Sequence, residues 1–273
     1  MSSNEIKVKY LDIESKILES DSMFLKKLPK FMFRLISWFM KEDEMNRIMN
    51  KYSDTSEVTF LEKVIEEFQI KIEIEGLEHL PEHGKCFFVA NHPFGVIDGL
   101  ILTHTVCKKY GTLKAIGNDA FTFIPQLKPL IASVNVYDRT SREYILALEK
   151  IYESDSPMTH FPAGEVSRLY HWKIQDAPWQ KSFIGKAVSC QRDIVPFHFY
   201  GRNSILFYTI FVLRKVFGIK LNLELSLLTR EMFKKRGKTI HVKIGKPISY
   251  QTFDKSNNHY SWAQKVRDIV YGL

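Results

Sequence analysis

Two side chains with complementary chemistry lie close together in the first half of the chain. His92 follows the apolar run Cys86 to Ala90, and Asp98 comes shortly after it, in Asn91-His-Pro-Phe-Gly-Val-Ile-Asp98. A neutral imidazole is a modest base. A carboxylate on its Nδ1–H fixes the tautomer and stabilises the imidazolium formed during proton transfer. A substrate hydroxyl near Nε2 can then lose its proton as it attacks a carbonyl. The same residue types also make ordinary turns, so the pair alone equally fits a capping Asn or Asp beside a His satisfied by backbone.

The elements around the pair favour chemistry. Cys86 to Ala90 is short and apolar, as a buried strand is. Asn91-His92-Pro93-Phe94-Gly95 breaks it, and Val96 to His104 reads as the opening of a helix. Loops at the carboxyl ends of buried strands are where α/β proteins usually place their active groups.

Other strand ends carry polar punctuation of the same kind. Asn135-Val-Tyr-Asp-Arg139 ends an apolar run with a guanidinium. His160-Phe-Pro-Ala-Gly-Glu-Val-Ser-Arg168 is a strand, a Pro-Gly break, then Glu165, Ser167 and Arg168; Asp193 to Arg202 ends in Gly-Arg. Arginine pairs bidentately with phosphate oxygens, so two or three converging on one face would cradle a phosphate. Any one of them alone would read as a surface ion pair.

The 273 residues, 45% of them hydrophobic, are enough for one large core. No low-complexity tract or internal repeat interrupts them. The formal charge of +8 favours an anionic partner, whether nucleic acid, an anionic bilayer or a phosphorylated substrate. Cys86, Cys107 and Cys190 are too few and too scattered for a disulfide framework or a zinc site, and read as reduced core thiols of a cytoplasmic protein. Residues 1–21 lack the apolar segment of a signal peptide. The most apolar stretches, Phe31 to Met40 and Ile205 to Leu213, hold about half of what a bilayer crossing needs. Membrane contact would therefore be lateral.

Met23 to Met40 is basic and rich in Phe, Met and Trp. As a helix it suits a headgroup–acyl boundary, with Lys26, Lys27, Lys30 and Arg34 facing phosphates; it suits packing on the domain equally well. Asp54 to Phe68 is an amphipathic helix capped by Asp54 or Thr55. The pattern predicts strands at Ile70–Gly76, Cys86–Ala90, Leu113–Ile116, Ile131–Tyr137, Met158–Phe161 and Ile194–Tyr200, and late strands at Leu221–Leu228 and Thr239–Ile244. It predicts helices at Ser141–Ser154, Phe183–Ser189 and Tyr260–Tyr271, with Asn118–Leu130 partly helical. Strand–helix alternation predicts an α/β fold with a mostly parallel mixed sheet flanked by helices. Residues 1–69 then form an N-terminal helical segment and residues 70–273 a single globular unit.

Asn91-His92…Asp98, Val136-Tyr-Asp138-Arg139, Phe161-Pro-Ala-Gly164 and Val195-Pro196 occur in the order of the four blocks of the lysophospholipid (acylglycerolphosphate) acyltransferases, and about residues 70–250 resemble that family. The resemblance implies transfer of a fatty acyl group from acyl-CoA or acyl carrier protein to a lysolipid hydroxyl, with no metal or cofactor, at the inner face of the membrane. It makes His92 the general base and Asp98 its orienting partner. It gives Arg139 and the segment after Phe161 and Pro162 the acceptor phosphate, and counts Asn91, Gly95, Gly164, Glu165, Ser167, Arg168 and Lys181 among the substrate-binding residues.

Two departures matter. The family spacing is H-x4-D, whereas five residues separate His92 from Asp98. On a regular helix six positions turn through about 600°, off a common face, so the Pro93-Phe94-Gly95 turn has to absorb the extra residue. Ala163 also stands where a Glu is usual, with Glu165 or Arg168 as substitutes. The variant blocks resemble a bacterial hemolysin-like branch, some of whose members look like the O-acyltransferases that complete ornithine or glycine lipids. Phosphatidic acid-type and aminolipid acceptors both stay open.

Trp172, Trp179 and Phe183 lie near Lys181, which could meet a CoA phosphate or face solvent. Phe121 to Phe123 and Ile205 to Phe217 fit an acyl groove or core packing. His104 and His171 read as surface histidines and His198 as a satisfied core residue. No nucleic-acid module is recognisable, and a serine hydrolase would need G-x-S-x-G, which does not occur. A non-catalytic membrane-binding protein would leave the strand-end clusters without a use.

Overall fold

Cys86-Phe-Phe-Val-Ala90 is apolar at every position because both of its faces are covered. Cys86, Phe88 and Ala90 belong to one core cluster, while Phe87 and Val89 point into another, as expected of a strand inside a parallel sheet. The computed structural model describes residues 8–19, 29–116, 124–132, 142–219 and 222–273.

The strands are β1 (Lys71–Glu75), β2 (Cys86–Ala90), β3 (Lys114–Ile116), β4 (Met158–His160), β5 (Arg168–Tyr170), β6 (Lys173–Gln175), β7 (Asp193–Tyr200) and β8 (Thr239–Ile244). Six of them form one sheet in the order β1-β8-β7-β2-β4-β3; β5 and β6 make a separate hairpin. Pairing is parallel throughout the large sheet except between β7 and β8. Val89 sits in register with His160 on one side and Pro196 on the other. The carboxyl ends of β2, β4 and β7 are therefore neighbours, and so are the loops that leave them.

The helices are α1 (Ile13–Glu19), α2 (Lys30–Phe39), α3 (Glu42–Lys51), α4 (Glu57–Glu67), α5 (Val96–Tyr110), α6 (Arg142–Glu153), α7 (Ser182–Ser189), α8 (Ile205–Val216), α9 (Leu228–Phe233) and α10 (His259–Gly272). One face of the sheet packs against α3, α4 and α5 through Ile48, Phe60, Leu61 and Ile101. The other packs against α7 and α10 through Phe183, Ile184, Ala263 and Val266. Phe207, Tyr208, Val166 and Leu227 make a third, smaller cluster joined by Phe39. No helix among the described residues is long and apolar enough to cross a membrane.

The mixed sheet and its flanking helices match the sequence expectation, and several details differ. Leu221–Leu228 is not a strand: Leu223–Leu227 is a 3₁₀ turn running into α9. Glu224 and Leu227 are its buried residues, a spacing of three, where a strand would bury every second residue. The cap position of α4 is Ser56, not Asp54 or Thr55. His104 is no surface residue: it is largely buried, its imidazole 3.5 Å from Glu62, and burial lowers its pKa. His198 is satisfied as expected, with Nδ1 2.7 Å from the Val270 carbonyl. Met23–Leu28, Phe121–Phe123, Arg139 and most of the Ile131–Tyr137 strand lie outside the described residues; Ile131 itself bridges to Ala115.

Candidate active site

β2 ends in a tight turn rather than feeding directly into a helix. Gly95 adopts φ 89°, where a side chain is strained, and an added Cβ would lie 2.9 Å from Leu228 Cδ2. The turn sets the start of α5 at Val96 and brings Asp98, in its first turn, back beneath the loop. Asp98 is fully buried. Its Oδ2 accepts hydrogen bonds from the Phe94 and Gly95 backbone N–H groups at 2.8 and 2.9 Å, and a carboxylate at a helix amino end is also favoured by the backbone dipole.

The same oxygen lies 3.0 Å from His92 Nδ1. Burial raises the Asp98 pKa, opposed by the His92 hydrogen bond and charge and then by the two backbone donors. With Nδ1–H given to Asp98, Nε2 is the nitrogen left to act as a base. The Phe161 ring stacks on the imidazole, centroids 4.0 Å apart and planes within 24°. Phe161 and His92 leave the adjacent ends of β4 and β2, so the sheet register itself sets this stack.

A second buried carboxylate holds the His92 main chain. Asp176 Oδ1 accepts from the His92 backbone N–H at 3.2 Å and from Ser167 Oγ at 2.5 Å; its Oδ2 accepts from the Trp179 indole at 2.9 Å. The Ser167 N–H donates to the His92 carbonyl at 2.8 Å. Tyr271, from α10, accepts from the Asp176 N–H at 2.8 Å. Sequence reasoning missed Asp176, Trp179 and Tyr271 in this setting. The signal present was Asp176-Ala-Pro-Trp179, a carboxylate and an indole three residues apart across a proline.

The other predicted residues fall into distinct roles. Asn91 ties β2 to β7, its side-chain amide donating to the Phe199 carbonyl at 3.0 Å and accepting from the Phe199 N–H at 2.7 Å. Pro162 accepts from Gln180 N–H, and Gly164 turns at φ 70° with its N–H on the Phe161 carbonyl. Glu165 Oε1 accepts from Tyr170 Oη at 2.6 Å. Arg168 is 1% exposed: its Nε meets Glu224 Oε1 at 3.2 Å and it donates to the Val166 carbonyl. Arg214 joins the same carboxylate, Nε to Oε2 at 2.9 Å. Arg168 is thus paired with Glu224 inside the protein, at the wall of the cavity that His92 also lines. Lys181 is exposed at the start of α7 and does not line the cavity beside His92. Arg139 is outside the described residues.

That cavity measures about 1370 Å³. His92, Gly95, Gly164, Glu165 and Arg168 form part of its wall; the remainder is mostly apolar, drawn from α1, α2, α3, α8 and the 223–227 turn, with Ile13, Phe39, Met49 and Ile210 among them. A base held on its carboxylate at the wall of a long apolar space suits a reaction at one end of an aliphatic chain.

A family model described as "Acyltransferase" matches residues 16–273. A lyso-glycine lipid O-acyltransferase of Phocaeicola vulgatus is 39% identical over 264 residues, 96% of this chain and 95% of the relative. A protein of the same name from Bacteroides thetaiotaomicron is 38% identical over 96% of this chain and 97% of its own length. The crystal structure of the 1-acyl-sn-glycerophosphate acyltransferase of Thermotoga maritima superposes with a TM-score of 0.46 at 16% identity, covering 89% of this chain and 96% of that one.

Proposed function

The chain belongs to the acyltransferase family, and on that premise we propose that it moves a fatty acyl group from a thioester donor to the hydroxyl of a lyso-amino-acid lipid at a membrane surface. The donor is acyl-CoA or an acylated carrier protein. His92 Nε2 takes the proton of the acceptor hydroxyl as its oxygen attacks the thioester carbonyl carbon. The carbon–sulfur bond then breaks, and the leaving thiolate collects that proton from the imidazolium. The products are an ester and a free thiol. Asp98 keeps the proton on Nδ1 and stabilises the transient cation. The route asks for nothing beyond donor and acceptor.

The observation that carries the reading is the apolar cavity of about 1370 Å³ with His92 in its wall. Aliphatic chains gain roughly 0.8 kcal/mol per buried methylene, so such a space favours a long-chain substrate over a soluble one. The relatives named for lyso-glycine lipid support an amino-acid headgroup over a phosphate. So do Ala163, in place of the usual acid, and the engagement of Arg168 by Glu224.

The test is a purified-protein assay with acyl-CoA or acyl carrier protein as donor and lyso-glycine lipid or lysophosphatidic acid as acceptor, the product identified by mass spectrometry. Diacylated glycine lipid from wild type and none from His92→Ala is expected. Transfer to lysophosphatidic acid alone would replace the acceptor assignment, and undiminished transfer by the His92 variant would remove the mechanism.

A further inference from the structure

Helix α8 is apolar on two sides, and among the described residues only one of them is covered. Phe207, Tyr208, Phe211 and Arg214 face inward. Ile205, Val212 and Val216 form a second stripe, at spacings of seven and four, that faces solvent; Ile205 is 77% and Val216 73% exposed. A helix at the surface of a soluble domain ordinarily sets polar residues there. Beside this stripe stands the β5–β6 hairpin. Its turn residues His171 and Trp172 both take positive φ, 48° and 63°. Neither is glycine, and the strained turn leaves Trp172 93% exposed. Leu169, Trp172 and Ile174 of the hairpin line a shallow groove together with Ile205, Thr209 and Val212 of α8. The two elements thus make one continuous apolar surface.

Charge narrows the choice of what covers it. No Asp or Glu occurs between Asp193 and Glu224, whereas Arg202, Lys215 and Lys220 do, besides Arg214, which is buried against Glu224. Lys173 and Arg202 are exposed at the hairpin and groove, and Lys215 on α8. The surface also adjoins the catalytic cavity. Leu213, Phe217 and Leu35 of α2 line that cavity, yet each is about half exposed or more. These residues mark the cavity mouth, and α2 shows Phe31 and Trp38 to solvent near it. Aromatic side chains, an aliphatic stripe and basic residues along the α8 side of an opening are the attributes of a surface that sits in the headgroup–acyl boundary.

We propose that the outer face of α8 and the tip of the β5–β6 hairpin dock on an anionic lipid bilayer, so that the cavity mouth opens onto the membrane and lipid substrate enters laterally. This rests on the lipid-acyltransferase reading above and names the surface through which that site is fed. Basic residues engage headgroup phosphates, while Trp172, Ile205 and Val216 insert among the acyl chains.

The experiment uses the full chain and mixed phosphatidylethanolamine–phosphatidylglycerol vesicles. None of Trp172, Ile205 and Val216 lines the catalytic cavity. The triple variant Trp172→Ser/Ile205→Ser/Val216→Ser is expected to bind vesicles at least about tenfold more weakly, given the apolar area withdrawn. Its transfer rate on vesicle-borne acceptor should fall in proportion, while transfer to detergent-dispersed acceptor stays at the wild-type level. Brominated lipids should quench the wild type more than Trp172→Ser. Ile269→Ser, an exposed apolar change on α10, serves as control and should alter none of these. Vesicle binding unchanged in the triple variant overturns the proposal. So does light scattering showing a wild-type dimer that the variant dissolves with membrane affinity intact. Vesicle binding is read without turnover: absence of acyl transfer in every assay would count against the enzymatic reading and leave the docking result standing.

Discussion

Asp98 Oδ2 lies 3.0 Å from His92 Nδ1 and within 2.9 Å of the Phe94 and Gly95 amides, so one carboxylate oxygen both orients the base and closes the turn that carries it. On a continuous helix, a separation of six positions would point the side chains away from each other. Here α5 begins only at Val96, and the preceding turn supplies the missing rotation. The proposed catalytic pair and the local fold share the same atoms.

Substitutions at Asp98 should separate these two duties. Asp98→Asn keeps an oxygen for the backbone donors but loses the charge that stabilises the imidazolium. It is expected to lower kcat by about a hundredfold or more with a small change in Tm. Asp98→Ala loses both, and should add a stability loss of about 1–3 kcal/mol in denaturant melts. Near-wild-type kcat in Asp98→Asn would show that orientation alone suffices.

Gly95→Ala tests the turn. The residue sits at φ 89°, and its new methyl would press on Leu228 and Val166. A loss of about 1–3 kcal/mol is expected from strain and overpacking. Activity should fall beyond what the unfolded fraction explains, because the turn is what aims Asp98 at His92.

Asp176 holds the His92 main chain, and on the proposed mechanism its loss should reach the reaction through that contact. Asp176→Ala is expected to reduce kcat at least about tenfold, since sub-ångström misplacement of a reacting group is costly, while KM for the acyl donor holds. Asp176→Glu should restore some of the loss if a carboxylate to the His92 N–H is what matters. Equal losses in kcat and in folded fraction across both variants would reduce Asp176 to a structural role.

Much of this was readable from residue order. The apolar run, the Pro-Gly break and the polar strand ends are local signals, and β2, β4, β7 and β8 lie where alternation and apolar runs put them. What escaped depends on distant partners. Arg168 reads as a substrate-side guanidinium at a strand end, and its partner Glu224, 56 positions away, cannot be seen from the sequence. The β5–β6 hairpin has strands of three residues and a turn without glycine, so no turn signal announces it. Asp176 lies 84 positions from the histidine it holds.

The buried cluster predicts a large effect far from the reacting atoms. Glu224 is fully buried between Arg168 and Arg214. Glu224→Ala strands two guanidinium groups in an apolar setting and should destabilise by about 3–5 kcal/mol. Urea melts would register it, and a loss under about 1 kcal/mol would show that water or a shifted side chain reaches the arginines.

Acid should act on the fold through His160, one residue before the Phe161 ring that stacks on the His92 imidazole. Burial pushes the His160 pKa from 6.5 down to about 4, only partly opposed by its hydrogen bond to the Ile116 carbonyl. The folded state thus holds this proton less tightly than the unfolded chain does. By linkage, the stability due to neutral His160 is fully present above pH 6.5 and is lost as pH falls toward 4. Glu67 works in a lower window: Lys51 and Tyr52, then Arg47, depress it from 4.5 to about 2, so its contribution fades only as pH drops through that range. Thermal midpoints between about pH 7 and 4.5 should therefore decline in wild type and decline less steeply in His160→Gln, which can still donate to the Ile116 carbonyl, with the buried His104 and His198 carrying the rest. Glu67→Gln should leave that upper window unchanged and alter only the more acidic one. An equally steep decline in His160→Gln would place the acid-sensitive group elsewhere.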